Sequence, residues 1–289
     1  MENIMVKKNP KIIILGIDGL EYNFVKEWKL SNIQQKKYCE VDLSDYKVIV
    51  TPPIWGSMLT GSINQEVMDQ WIKRSSITGD ESAVNQVWWA RLGNKILPKK
   101  VSFWIWKRFF VPKMGGNLFE ETSDYIKQYS ERIFLDSFDQ PWNNGIPGYN
   151  RREQFLEEKE YQNKVFDEGW EEFHKYLVND YNESVKQLYD CIERKENDII
   201  FWYTKLVDSI CHFCKIKPID LMKYYLQLNQ LVGSVQQKCP DSTIYVISDH
   251  GMKYEKNAVW WHSDHAFFSS NNGEIISKPT DLYNIVLKK

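Results

Sequence analysis

The segment Lys11-Ile12-Ile13-Ile14-Leu15-Gly16-Ile17-Asp18-Gly19 constrains the fold more than any other stretch of the chain. A β-branched, apolar run without polar alternation reads as a strand buried on both faces, the pattern of a central strand in a parallel α/β sheet. It stops at Gly-x-Asp-Gly, so the strand delivers one carboxylate, Asp18, to the loop at its C-terminal end. Ligands bind at that end of open α/β sheets, and the following glycine lets the chain turn sharply. Two readings of Asp18 stand side by side: a site residue, or the cap of a helix from Leu20 to Leu30.

The arrangement recurs along the chain. Tyr46-Lys47-Val48-Ile49-Val50 predicts a second strand that runs into Thr51-Pro52-Pro53 and a helix starting near Trp55, with Thr51 either a cap or a hydroxyl at a helix N-terminus. Asp198 to Thr204 predicts a third strand, followed by Asp208 and His212. In a helix those two lie on one face a turn apart and can chelate one metal ion. After a helical run from Asp220 to Gln236, Thr243 to Ser248 predicts a fourth strand, ending in Asp249-His250-Gly251-Met252. His262, Asp264 and His265 follow on a late loop, then the apolar Ala266-Phe267-Phe268 and a closing helix from about Pro279 to Leu287.

From Ser62 to about Asn150 the strand-helix rhythm is lost. The segments Val87-Trp88-Trp89 and Phe103 to Val111 interleave Trp, Phe, Lys and Arg, and Arg151 to Lys195 reads as one or two amphipathic helices with His174 as a surface or packing residue. The predicted organisation is a catalytic core from 1–61 and 196–289 with an aromatic-rich, mainly helical cap and connecting helices in 62–195. Aromatic and basic side chains together suit a phosphorylated substrate, a nucleic acid or a membrane interface, or they form the cap's own small core.

Lys plus Arg number 37 against 39 Asp plus Glu, a formal charge of -2, which excludes a strongly basic protein that coats nucleic acid. Five cysteines without regular spacing do not describe a disulfide framework, so a reducing, cytoplasmic setting is expected. Cys211 and Cys214 form a C-x-x-C, but no second pair completes a zinc knuckle, and both are read as packing residues. The apolar run Ile12 to Ile17 is too short for a signal-peptide core or a membrane span.

Taken jointly, Asp18, Thr51, Asp208, His212, Asp249, His250 and His262 are the parts of a two-metal phosphoryl-transfer site, with carboxylate and imidazole ligands and a hydroxyl nucleophile. In this order the motifs resemble the alkaline phosphatase superfamily, and within it the type I phosphodiesterase and nucleotide pyrophosphatase branch. Ile14 to Gly19 is similar to its first metal-binding loop, Thr51 to Gly61 to its nucleophile segment, Asp208 to His212 to its Asp-x-x-x-His, and Ser248-Asp249-His250-Gly251 to its Ser-Asp-His-Gly signature. The resemblance implies a mostly parallel central sheet with helices on both faces. It also implies one ion held by Asp18, Asp249, His250 and the Thr51 oxygen, a second held by Asp208, His212 and His262, and a phosphothreonine intermediate formed on Thr51.

The mixed ligand set suits zinc, with manganese as the alternative. The implied substrate is a small phosphorylated molecule, diesters ahead of monoesters. The chain departs from the pattern at Ser62 to Glu66, where relatives continue with His-Gly, and at Cys211, where many carry Gly. His265 competes with His262 as last ligand, and the spacing to Phe267-Phe268 favours His262, with Asp264 able to orient either ring. A phosphomonoesterase, phosphonate hydrolase, phosphomutase or non-catalytic binding protein remain the competing readings.

Overall fold

Strand β1 (Ile12–Ile17) lies inside a six-stranded sheet, and all of its residues are buried. It pairs in parallel with β4 (Ile199–Thr204) on one side and β5 (Thr243–Ile247) on the other. Beyond β4 the short β3 (Pro141–Asn143) adds a further parallel strand. Beyond β5 come β8 (His265–Ser270), which runs antiparallel to it, and the edge strand β2 (Lys37–Asp42), antiparallel to β8. The sheet order is β2-β8-β5-β1-β4-β3, so β8 alone opposes the common direction. A separate antiparallel ribbon pairs β6 (Met252–Glu255) with β7 (Val259–His262). The computed structural model describes residues 9–66, 68–69, 132–150, 170–214, 216–255 and 259–289.

The period-2 geometry of β1 divides its side chains between two cores. Ile13, Leu15 and Ile17 face one that includes Val25 of α1 (Tyr22–Glu27), Ile33 of α2 (Ser31–Gln34), Phe173 and Leu177 of α4 (Trp170–Arg194), Val207 and Ile210 of α5 (Leu206–Phe213) and Leu228 of α6 (Pro218–Lys238). Ile12 and Ile14 face the other, with Ile54, Trp55 and Met58 of α3 (Thr51–Thr60) and Leu282 and Val286 of α7 (Asp281–Leu287). Helices therefore cover both faces, as a continuous apolar strand requires, and each buried Ile or Leu contributes roughly 1.5–3 kcal/mol. The expected fold class, a mostly parallel α/β sheet flanked by helices, is the observed one.

One strand expectation fails. Tyr46 to Val50 forms no strand, and the edge of the sheet is taken instead by Lys37–Asp42. Val50 is extended, with φ −139° and ψ 141°, but serves as the N-cap of α3, while Tyr46 is buried in the second core with its hydroxyl on Ser57 Oγ. The segment serves packing, not pairing: Tyr46 is buried in the second core and Ile49 packs against it. Lys37–Asp42 shows the mixed charged and apolar composition of a strand with one edge toward solvent, a weaker sequence signal than a β-branched run.

The cap segments Val87 to Trp89 and Phe103 to Val111 lie outside the described residues, as does Arg151 to Gly169. Within 62–195, β3 joins the central sheet and α4 packs on it through Phe173, Leu177 and Leu188. His174 bonds the Tyr224 hydroxyl. All five cysteines are free, and Cys211 is buried in the first core. No helix among the described residues is long and apolar enough to cross a membrane.

Candidate metal centre

Asp18, Asp208 and Asp249 meet because β1, β4 and β5 end side by side. Ile17 is level with Thr204, and Asp18 N donates to Thr204 O at 2.9 Å. The chain leaves Asp18 through Gly19 at φ +74°, where a Cβ would lie 3.1 Å from the Asp208 backbone. Only glycine allows both that left-handed turn and the approach of α5, whose Asp208 N donates to Asp18 O at 3.3 Å. Capping of α1 falls to Glu21, whose side chain accepts from Asn23 N, so the helix-cap reading of Asp18 is replaced. In the Ser-Asp-His-Gly motif, Ser248 Oγ ties β5 to both neighbours, donating to Leu20 O at 3.1 Å and accepting from Phe267 N at 2.8 Å.

The seven residues singled out from the sequence form one connected cluster. His250 Nε2 lies 3.4 Å from Asp18 Oδ1, 3.3 Å from Asp249 Oδ2, 3.9 Å from Asp208 Oδ1 and 3.4 Å from Thr51 Oγ1. On the other side His212 Nε2 is 3.0 Å and His262 Nε2 3.6 Å from Asp208 Oδ1, and the two ring nitrogens are 2.8 Å apart. Asp208 and His212 sit one turn apart on α5, as their spacing predicts. His262 belongs to the cluster, whereas His265 Nε2 is 2.9 Å from Glu21 Oε1 and points away from it.

Thr51 is the first residue of α3, not the end of a strand. Of the N–H groups that a helix start leaves without intrahelical partners, those at positions 52 and 53 are removed by proline, leaving Val50 and Thr51 as donors. The anion-favouring end of this helix is therefore weak, and an anionic substrate would need positive charge from elsewhere.

The electrostatics show where that charge belongs. Burial pushes Asp18 up to about 7, with the Asp208 carboxylate adding to the effect, and burial with Asp18 beside it raises Asp249 well above the usual carboxylate range. Burial also works against the Asp208 charge, but the His212, His262 and His250 rings around it hold it well below its ordinary value. His250 is lowered to about 3 by burial and the neighbouring His262. Its Nδ1 faces Gly251 O at 3.1 Å and that of His262 faces Ile49 O at 2.9 Å. Carbonyl oxygens only accept, so each ring donates from Nδ1, and that hydrogen bond aims its Nε2 at the carboxylates.

Four carboxylate oxygens in this cluster, Asp18 Oδ1, Asp208 Oδ1 and both of Asp249, are buried without a hydrogen-bond donor. A buried acceptor left unpaired costs about 1–3 kcal/mol, and more when charged. Divalent cations bound there would resolve the conflict, since they would pair the oxygens and ionise the acids at once. Two sets have the compactness of a metal site: Asp18, Asp249 and His250, and Asp208, His250 and His262, with ligand atoms within 4.8 Å of one another. His250 is common to both, whereas the resemblance assigns it to one. The residues thus fit the divalent ions that the motifs imply.

The carboxylates of Asp18, Asp208 and Asp249, three imidazoles and the Thr51 hydroxyl are thus gathered where the parallel strands β1, β4 and β5 end. Residues 12–278 match the type I phosphodiesterase / nucleotide pyrophosphatase family, and the chain belongs to it. The expected type I phosphodiesterase and nucleotide pyrophosphatase branch is borne out, and the family supports a phosphoester hydrolase. No curated protein matches the chain. Among solved structures it is similar to the alkaline phosphatase from the Antarctic bacterium TAB5, at 13% identity over 97% of this chain and 98% of that one, with a TM-score of 0.40. A mutant of that enzyme with Mg bound matches at 11% identity over 98% of each chain, with a TM-score of 0.35.

Sequence reasoning missed Tyr203, Glu21 and Ser263, which contact the candidate ligands or the residues beside them. Tyr203 sits one position before the end of β4, where its hydroxyl reaches Asp18 across the sheet. Only the pairing of β1 with β4 reveals it.

Proposed function

We propose that the protein is a metal-dependent hydrolase of phosphate esters, with diesters preferred over monoesters, in which Thr51 is the nucleophile beside two divalent ions. The observation that carries this reading is the set of four donorless, buried carboxylate oxygens facing the His212, His250 and His262 rings. Asp18, Asp249 and His250 with Thr51 Oγ1 would hold one ion, and Asp208, His212 and His262 the other. A donor set of imidazole nitrogen and carboxylate oxygen suits zinc, with manganese as the alternative. Bound there, such ions supply positive charge for the phosphoryl oxygens and lower the pKa of a neighbouring hydroxyl.

The chain's own residues account for the rest of the cycle. Pro52 and Pro53 fix the start of α3 and so the direction of the Thr51 side chain. Thr51 Oγ1 bonds phosphorus as the P–O bond to the ester oxygen breaks, and the Thr51 hydroxyl proton ends on that departing oxygen, which leaves as the alcohol. Water then breaks the Oγ1–P bond, giving its hydroxyl to phosphorus and its proton to Oγ1, which regenerates Thr51 and releases the phosphate product. Asp18 Oδ1 and both oxygens of Asp249, buried without donors, stay available to the cluster. Membership of a phosphodiesterase family supports the preference for diesters.

Turnover of bis-p-nitrophenyl phosphate tests the proposal. The expected result is activity lost on chelation, restored by zinc or manganese, and abolished in Thr51→Ala while metal stays bound. A folded protein that binds no divalent ion overturns the proposal, and near-normal activity in Thr51→Ala overturns the nucleophile assignment.

A further inference from the structure

Glu21 is a buried carboxylate close to the candidate centre that the proposed reaction does not use. It lies three residues past Asp18, is 2% exposed, and its oxygens are turned to the residues that follow two other candidate ligands. Ser263, next to His262, donates from Oγ to Glu21 Oε2 at 2.6 Å. Gly251, next to His250, packs so closely that a Cβ there would lie 2.3 Å from the same oxygen. The other oxygen, Oε1, accepts from Asn23 N at 3.1 Å and Asn23 Nδ2 at 2.8 Å, and faces His265 Nε2 at 2.9 Å. The backbone closes the same knot: Gly251 N donates to His265 O at 2.9 Å and Ser263 N to Gly251 O at 2.8 Å. Glu21 is itself anchored, its N–H donating to the Tyr225 hydroxyl at 2.9 Å.

We infer that Glu21, through Ser263 and His265, is a positioning residue that sets the spacing of the His250 and His262 rings and thereby the affinity of the centre for its ions. The inference rests on the two-ion reading above. The two rings stack at 3.7 Å between centroids with 17° between their planes, and each is attached one residue away from a contact of Glu21. Removing that carboxylate takes away the group that Ser263 and His265 both meet, so the Gly251 and Ser263 backbones lose their common reference. His265 then has a role distinct from metal ligation: it is the imidazole partner of Glu21, and Asp264 Oδ1 lies 3.3 Å from its other nitrogen.

The test compares Glu21→Ala, Glu21→Gln and Ser263→Ala with the wild type. Affinity for zinc is measured by calorimetry, the absorption spectrum with saturating cobalt reports ligand geometry, and urea unfolding of the metal-free proteins controls for stability. Glu21→Ala is expected to bind zinc about 10–100-fold more weakly, with an altered cobalt spectrum at saturation. Glu21→Gln keeps an oxygen for Ser263 and the shape of the side chain but puts an NH2 where Oε1 accepts from Asn23, and is expected to recover part of the affinity. A folded Glu21→Ala with wild-type affinity and spectrum overturns the inference. Should that variant not fold, Ser263→Ala decides: weaker binding supports the inference and wild-type binding overturns it. A wild type that binds no ion removes this inference together with the proposed function, whereas unchanged variants of a metal-binding wild type remove this inference alone.

Discussion

Tyr203 Oη donates a 2.5 Å hydrogen bond to Asp18 Oδ2, and Asp18 Oδ1 is left without a donor on the side facing His250. One carboxylate is thereby divided into an oxygen that the protein holds and an oxygen that it leaves for a ligand. Trp55 packs edge-on against the Tyr203 ring, with centroids 5.5 Å apart, so the same tyrosine connects the helix that begins at Thr51 to the first candidate ligand.

Tyr203→Phe removes the hydrogen bond and keeps the ring. With Asp18 Oδ2 then buried without a partner, the expected effects are a loss of about 1–3 kcal/mol in metal-free stability or a compensating turn of Asp18, and zinc binding weakened by about 10–100-fold. Denaturant unfolding and calorimetry measure the two. Unchanged zinc affinity would show that Asp18 needs no such anchor.

Gly19→Ala places a side chain at φ +74° and brings its Cβ to 3.1 Å from Asp208 N, Cα and Cβ. The left-handed backbone alone costs about 1–2 kcal/mol. The clash adds to this and moves Asp208, so stability and zinc affinity are expected to fall together. A variant that loses stability but binds zinc as the wild type does would separate the turn from the centre.

Metal binding should depend on pH in a defined direction. Asp18 is raised to about 7 by burial and the Asp208 carboxylate, and Asp249 is raised in the same direction, so below about pH 7 a cation has to displace the proton on Asp18. Affinity is therefore expected to increase with pH up to about 7, by about tenfold per unit for each proton displaced. Calorimetry in buffers of different ionisation enthalpy counts the released protons. Affinity that does not change across this range, with no proton release, would contradict the account.

The parts of this centre carried by local sequence were legible. The Ile12–Ile17 run marked a buried strand and placed Asp18 at its end, the i,i+4 spacing put Asp208 and His212 on one helical face, and Asp249-His250 closed the fourth predicted strand, Thr243 to Ser248. The second strand was misplaced because Tyr46 to Val50 is apolar for a different reason: it buries Tyr46, packs Ile49 on the second core and offers the Ile49 carbonyl to His262. Tyr203, Glu21 and Ser263 were not legible, since each acts on a residue far away in the chain and carries no local pattern. His265 shows the same limit. Its distance from His262 is only three residues, yet strand pairing and the Glu21 carboxylate send the two rings to different tasks.

The number of ions per chain tests the central claim most directly. Elemental analysis of zinc-loaded, dialysed protein is expected to give about two ions for the wild type, with Asp18→Asn and Asp208→Asn each weakening a different one, and Thr51→Ala retaining both. A folded wild type that retains no zinc or manganese would contradict the account.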